Sequence, residues 1–167
     1  MIRQALSVCV LVLVTSVSAA AQSTVFLVRH AERADGGMPP PSMTSPDPDL
    51  SAAGKTRAES LAALLKDARI TAIYVTEFQR TRQTAAPLAQ ALGIEPTVVS
   101  TKEVASLAAK LEGARGNVLV VGHTNTLPEV LKSLGVSDTV TIGEQDFDNL
   151  FIVTRGTPPS FVRLHYR

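Results

Sequence analysis

The chain has 167 residues, which is room for one compact domain and a targeting segment but not for a second independent core. Sixteen Lys and Arg against fifteen Asp and Glu give a formal charge of +1, so no net positive field is available to hold a nucleic acid along its length. A single cysteine, Cys9, and three histidines spread along the chain exclude an internal disulfide and a Cys/His zinc module.

Residues 1–21 open with a positive start at Arg3, continue as an almost wholly apolar run from Ala5 to Val17, and end in the small residues Ser18-Ala19-Ala20-Ala21. This pattern predicts a cleaved secretory signal. The competing reading is an amino-terminal anchor, but the run is shorter than the ~20 residues that span a bilayer. A lipoprotein site at Cys9 fails because the apolar stretch lies mostly after the cysteine and Val8 is not small. Cleavage after Ala21 removes Arg3 and Cys9 and leaves a thiol-free chain with fifteen charges of each sign. Such a chain agrees with an oxidising compartment, but it is the signal that makes a bacterial periplasm or the medium the expected location. The expected domains are the signal at 1–21 and a catalytic unit at 22–167, with no stable membrane insertion once the signal is gone.

Thr24 to Val28 is a short β-branched and aromatic run that stops at Arg29-His30, as a buried strand would when it delivers polar residues at its carboxyl end. Ala34 to Asp49 carries five of the ten prolines and two glycines, too many for a helix, and reads as a surface loop, with a lid over the strand end as the alternative. Ser51 is a good N-cap for a helix from Ala52 to Asp67, with Leu61, Leu64, Leu65 and Ala68 at helical spacing. Ile70 to Val75 reads as a second strand, Thr84 to Leu92 as a helix stopped by Gly93, and Thr97 to Val99 as a short strand. Val104, Leu107, Ala108 and Leu111 mark a third helix. Asn117 to Val121 is a further strand ending in Gly122-His123, and a helix on Leu127, Val130, Leu131 and Leu134 closes at Gly135. Val140 to Ile142, Leu150 to Thr154 and Phe161 to Leu164 complete the predicted strands. Strands alternating with helices, with apolar strand interiors, indicate an α/β domain, a three-layer α/β/α sandwich on a mainly parallel sheet. Ligands of such sheets sit beyond the carboxyl ends of the strands, where both Arg29-His30 and Gly122-His123 fall.

A neutral imidazole at such a position is a nucleophile toward phosphorus, and its phosphoramidate is readily hydrolysed. Arg29 offers a planar donor fork to the phosphoryl oxygens, and Arg80, just past the second strand, offers another. His123, when protonated, adds a third donor. This chemistry needs no metal and no cofactor.

The motifs carry a family resemblance. Val28-Arg29-His30-Ala31-Glu32 resembles the Arg-His signature of the histidine phosphatase superfamily, which includes the cofactor-dependent phosphoglycerate mutases. Asp49-Leu50-Ser51-Ala52-Ala53-Gly54 resembles the stretch that opens that family's first helix. Thr76 to Ala85 resembles its second motif, whose central arginine falls on Arg80 and leaves Arg82 to face solvent. Val121 to Thr126 resembles the late Gly-His motif. The resemblance implies a phosphoglycerate mutase-like fold, His30 as the phosphorylated nucleophile, and Arg29, Arg80 and His123 as the phosphate pocket. For the general acid, the mutase-like branch has a glutamate after the third strand, where this chain offers Glu103. The acid-phosphatase branch has an aspartate directly after the late histidine, where this chain has Thr124. Gly36 replaces the asparagine many mutases place near the phosphate, and the chain lacks the mutases' large insertions. A compact phosphatase, acting on a small phosphorylated substrate, is therefore expected rather than a mutase. The alternatives are a phosphohistidine protein phosphatase and a non-catalytic phospho-ligand binding module. Asn125 is expected to cap the helix that follows it, Glu32 to orient Arg29 or form an ion pair, and Asp146 and Asp148 to form a turn; His165 has no assigned role.

Overall fold

The computed structural model describes residues 23–36 and 47–167. The predicted signal, Cys9 and most of the Pro-rich loop lie outside the described residues. Six strands form one sheet: β1 (Thr24–Arg29), β2 (Ile70–Val75), β3 (Thr97–Val98), β4 (Asn117–Gly122), β5 (Asn149–Thr154) and β6 (Ser160–His165), in the spatial order β3-β2-β4-β1-β5-β6. The first four in that order run parallel, and β5 and β6 are antiparallel additions on the β1 side. Four helices cover it: α1 (Ala52–Leu65), α2 (Gln79–Leu92), α3 (Val104–Gly113) and α4 (Thr126–Ser133).

Alternation along the strands sorts the core into two layers. Val28, Ile73, Val75, Leu119 and Val121 face Leu61, Leu65, Ala85 and Leu88 of α1 and α2. Val25, Leu27, Val118 and Val120 face Leu107, Leu111, Leu127 and Leu131 of α3 and α4. The central strands β1 and β4 are thus apolar on both faces, as a parallel sheet sandwiched between helices requires.

Ser51 caps α1 by accepting from the Gly54 N–H at 3.0 Å, as predicted. Gly93 closes α2 with φ +65°, a left-handed turn that glycine adopts at no steric cost. α2, however, begins at Gln79, five residues before the predicted Thr84. Its first turn is held by tertiary partners: the Asp47 carboxylate accepts from the Gln79 N–H at 2.8 Å. The predicted strand Val140 to Ile142 is not a strand. Both edges of the sheet lie elsewhere, at β3 and β6, so Ile142 packs into the α3/α4 layer as part of a loop. Asn125 stands at the N-cap of α4 but makes no capping bond; the Thr126 hydroxyl beside it accepts from the His123 N–H at 3.0 Å instead.

Among the described residues, no helix is long and apolar enough to cross a membrane.

Candidate active site

Strand register brings the two histidines together. Arg29 pairs with Gly122 across β1 and β4, and the His30 N–H donates to the Gly122 carbonyl at 3.0 Å. His30 and His123 therefore leave adjacent parallel strands at the same level, with ring centroids 5.3 Å apart in an edge-to-face arrangement. β2 lies on the other side of β4, with Val75 beside Val121, so Thr76 to Arg80 emerge next to His123.

Proton bookkeeping fixes the state of His30. Its Nδ1 lies 2.8 Å from the Ala31 carbonyl oxygen, and a carbonyl only accepts, so Nδ1 carries the hydrogen. Nε2 is left with its lone pair and has no hydrogen-bond partner among the described residues. Burial pushes the His30 pKa down to about 3; the Ala31 bond opposes this, and His123, Arg80 and Arg29 reinforce it. At neutral pH the ring is an uncharged base.

Arginines surround it. Nη1 of Arg29 donates to the carbonyls of Gly143 and Glu144 at 2.8 and 2.9 Å, and its Nη2 faces the Glu144 carboxylate at 3.6 Å. Its guanidinium lies 4.3 Å from the Phe147 ring centroid. Arg80 is held in a parallel way, by the Asp47 carboxylate at 3.3 Å and by Phe78, whose centroid is 4.1 Å from the guanidinium carbon. Phe147 also touches the His30 ring and Phe78 the His123 ring. Two Arg-Phe-His groups thus flank the strand ends, and the phenyl rings hold each cation by its face while excluding water from each imidazole.

Arg33 is a third guanidinium of the group, in an ion pair with Asp35. It is close enough to Arg29 and Arg80 to lower the pKa of both, after the larger effect of burial. The Nε atoms of Arg29, Arg33 and Arg80 are all buried without an acceptor. Three like charges with three unpartnered donors at one place fit an anion with several oxygens.

The structure thus brings together Arg29, His30, Arg80 and His123. It leaves Glu103 exposed at the N-cap of α3, with no side-chain bond. Arg82 is exposed. Glu32 is in a two-oxygen ion pair with Arg57, whose Nη2 is 2.7 Å away, and Arg57 reaches on to the Tyr166 carbonyl at 3.0 Å. His165 is near Asp148, 3.1 Å away and exposed. Sequence reasoning missed Arg33, Phe78, Phe147 and Glu77. A second arginine three residues after His30 was a readable signal for Arg33; the phenylalanines carried none, since an isolated Phe reads as core. Glu77 lies next to His123, its carboxylate accepting from the Thr101 N–H and hydroxyl at 2.9 and 2.8 Å. Among the described residues no group of three or more His, Cys, Asp or Glu is placed to hold a metal ion.

Residues 25–103 match the model of the histidine phosphatase superfamily (branch 1). The chain carries a domain of that superfamily. Three of the four motifs fall inside the matched stretch, and the fold supplies the fourth, at His123, from the adjacent strand. No curated protein matches the chain. Among solved structures, that assigned as the phosphohistidine phosphatase SixA of Agrobacterium tumefaciens shares 21% identity with a TM-score of 0.64, covering 86% of this chain and 97% of that one. The protein histidine phosphatase SixA bound to tungstate shares 18% at a TM-score of 0.64, over 85% and 96% of the two chains. A mycobacterial glucosyl-3-phosphoglycerate phosphatase shares 13% at a TM-score of 0.65, over 87% and 98%. These likenesses show the fold, which is phosphoglycerate mutase-like, and the superfamily supports a phosphatase hydrolase.

Proposed function

We propose that the protein hydrolyses phosphomonoesters through a phosphohistidine on His30, without a metal. The observation that carries this reading is the lone pair left on His30 Nε2, with Arg29 and Arg80 near enough to act on the ring, Arg33 near both of them, and all three Nε atoms without an acceptor. Nε2 attacks phosphorus as the ester P–O bond breaks, and the bonding pair leaves with the ester oxygen, which takes a proton or departs as a phenolate. Water then attacks the phosphoryl group, the P–N pair returns to Nε2, and inorganic phosphate leaves. Arg29, Arg33 and Arg80 meet the equatorial oxygens, where charge gathers in the transition state.

A specific feature also favours nitrogen-bound and aryl phosphates, including the phosphohistidine of a protein. The carboxylates near the pocket are already engaged as acceptors or ion-pair partners: Glu32 by Arg57, Asp35 by Arg33, Asp47 by Arg80, Glu77 by Thr101, Glu144 by Arg29 and Asp146 by the Gly143 N–H. Leaving groups that depart without a strong acid then react best. Export by the amino-terminal signal, with cleavage before Gln22, belongs to the same reading, because an extracellular small phosphate ester needs no phosphorelay partner. Sequencing the amino terminus of the protein recovered from periplasm or medium tests it; an intact Met1 overturns it.

The deciding experiment is hydrolysis of an aryl phosphate in chelator, wild type against His30→Ala, with 32P trapped under mild quench. Turnover in chelator, label on the wild type and neither in the variant support the reading. A folded wild type that binds phosphate but neither turns over nor labels is a binding module, and the enzyme reading falls.

A further inference from the structure

Two loops supply groups to the surroundings of His30. One is the turn after β1, which carries Glu32 and Arg33. The other runs from Gly143 to Asp148: its Gly143 and Glu144 carbonyls hold Arg29 at 2.8 and 2.9 Å, and its Phe147 ring lies against both Arg29 and His30. An open groove is lined by residues of both, Glu32 from the first and Asp146, Phe147 and Asp148 from the second, with Arg57 of α1 among them.

Arg57 joins the two loops. Its Nε donates to both Glu32 oxygens at 2.9 and 3.0 Å, and its Nη2 donates to one of them at 2.7 Å. Its Nη1 donates to the Tyr166 carbonyl at 3.0 Å, and the Tyr166 N–H donates to the Asp148 carbonyl at 2.9 Å. The Tyr166 side chain is buried in the α1/α2 layer, with the Arg57 guanidinium 5.8 Å from its ring centroid, so the carbonyl that Arg57 holds is anchored. Contacts therefore close a ring around the nucleophile, from His30 along the chain to Glu32, then to Arg57, Tyr166 and Asp148, and from Phe147 back to His30. The turn after β1 is docked on α1 in any case, because the Ser51 N–H donates to the Glu32 carbonyl at 2.9 Å. What Arg57 adds is the connection onward to the Gly143–Asp148 loop. That connection needs a guanidinium: two nitrogens serve Glu32 and the third serves Tyr166, whereas an ammonium has one nitrogen to offer.

We propose that Arg57 is a positioning residue for the phosphate pocket, which sets the turn carrying Arg33 against the loop holding Arg29 and thereby sets the affinity for a tetrahedral oxyanion. All three of its nitrogens are engaged by Glu32 and Tyr166, so it acts through them and not on the phosphoryl group. The proposal rests on the phosphate pocket described above but not on the phosphohistidine step.

The test is the dissociation constant of inorganic phosphate for the full protein, read by calorimetry, together with hydrogen exchange of the Tyr166 amide and the urea midpoint. Arg57→Met keeps the stem and removes every donor. It should weaken phosphate binding by roughly 10- to 100-fold, the range in which partners that orient a binding group act, and speed exchange of the Tyr166 N–H. Arg57→Lys keeps a charge opposite Glu32 and is expected to recover the urea midpoint but only part of the affinity; it is the variant to read should Arg57→Met not fold. Because Arg57→Met also leaves a bare Glu32 carboxylate, which repels phosphate by itself, Arg57→Met/Glu32→Gln removes that charge, and its affinity is expected to stay low. A lower urea midpoint with wild-type phosphate affinity in folded Arg57→Met makes the residue structural only and overturns the proposal. Wild-type affinity in Arg57→Lys, or full recovery in the double variant, overturns it as well, since charge alone then suffices. Weakened phosphate binding in the Arg57 variants of a protein that never labels on His30 would remove the hydrolase reading and leave the positioning role standing. A labelling wild type whose phosphate binding is indifferent to Arg57 removes the positioning role alone.

Discussion

Around His30 each side chain of the site is defined by what its neighbours leave unused. Ala31 takes the hydrogen of Nδ1, and the loop carbonyls take one arm of Arg29; what remains is a lone pair and an Nε donor. Arg33 is in the same position, with its terminal nitrogen on Asp35 and its Nε unpartnered. If Arg33 binds the phosphoryl group, Arg33→Met removes one charge-assisted hydrogen bond worth about 1.5–3 kcal/mol. Inhibition by inorganic phosphate should then weaken by roughly 10- to 100-fold, with Arg33→Lys recovering only part because it lacks the fork. Unchanged phosphate inhibition in a folded Arg33→Met would show that the residue serves only to bury Asp35. At this scale the sequence was informative where residue type and chain position suffice. Arg29, His30, Arg80 and His123 were legible because strand ends and motif order placed them. Glu77 was not, since nothing in Thr76-Glu77-Phe78 says that its carboxylate turns toward Thr101 and His123. Glu103 was chosen by position after β3, and the turn that carries it faces solvent.

Elements place these residues through a few close approaches. Gly54, in the first turn of α1, lies against the backbone of Glu32, where an added Cβ would come within 2.3 Å of the carbonyl oxygen. The same carbonyl accepts from the Ser51 N–H at 2.9 Å, so the start of α1 is docked directly on the loop that follows His30. Gly54→Ala cannot be accommodated by a flexible side chain, because the obstacle is main chain. A loss of about 3 kcal/mol is expected, at the upper end of overpacking costs, measured as a lower urea midpoint, together with weaker phosphate binding as the loop at Glu32 and Arg33 shifts. Wild-type stability in Gly54→Ala would show that α1 can move away freely and does not set the loop. The helices and strands with apolar periodicity were legible. The first turn of α2 was not, since Gln79-Arg80-Thr81-Arg82 has no apolar period and is held by Asp47, which is distant in sequence. The segment at Val140 was misread because β-branched residues favour a strand only where a sheet edge is available, and here β5 already pairs on both sides.

For the molecule as a whole, the site carries a cost that depends on pH. Two imidazoles sit in the buried interior with arginines nearby, and their folded pKa values fall to about 3 for His30 and about 4 for His123, against about 6.5 in an unfolded chain. Above pH ~6.5 both states carry neutral rings, and these groups contribute no slope. As pH falls below that value the unfolded chain binds protons at both rings while the folded chain does not, so the unfolded state gains and stability drops. The decline continues until the folded values are reached near pH 4 and 3, and Glu32, whose burial is outweighed by the combined pull of Arg57, a backbone hydrogen bond and Arg29 so that its carboxyl is held low, adds to the loss below its own ordinary range. Between pH ~6 and ~4 the urea midpoint of the wild type should therefore fall with a slope approaching two protons. His30→Gln, which cannot titrate, should lose about one of them while also removing the nucleophile. A midpoint independent of pH across this window would mean that the folded protein protonates its two rings as readily as the unfolded chain does, and the nucleophile would then be uncharged only above pH ~6.5.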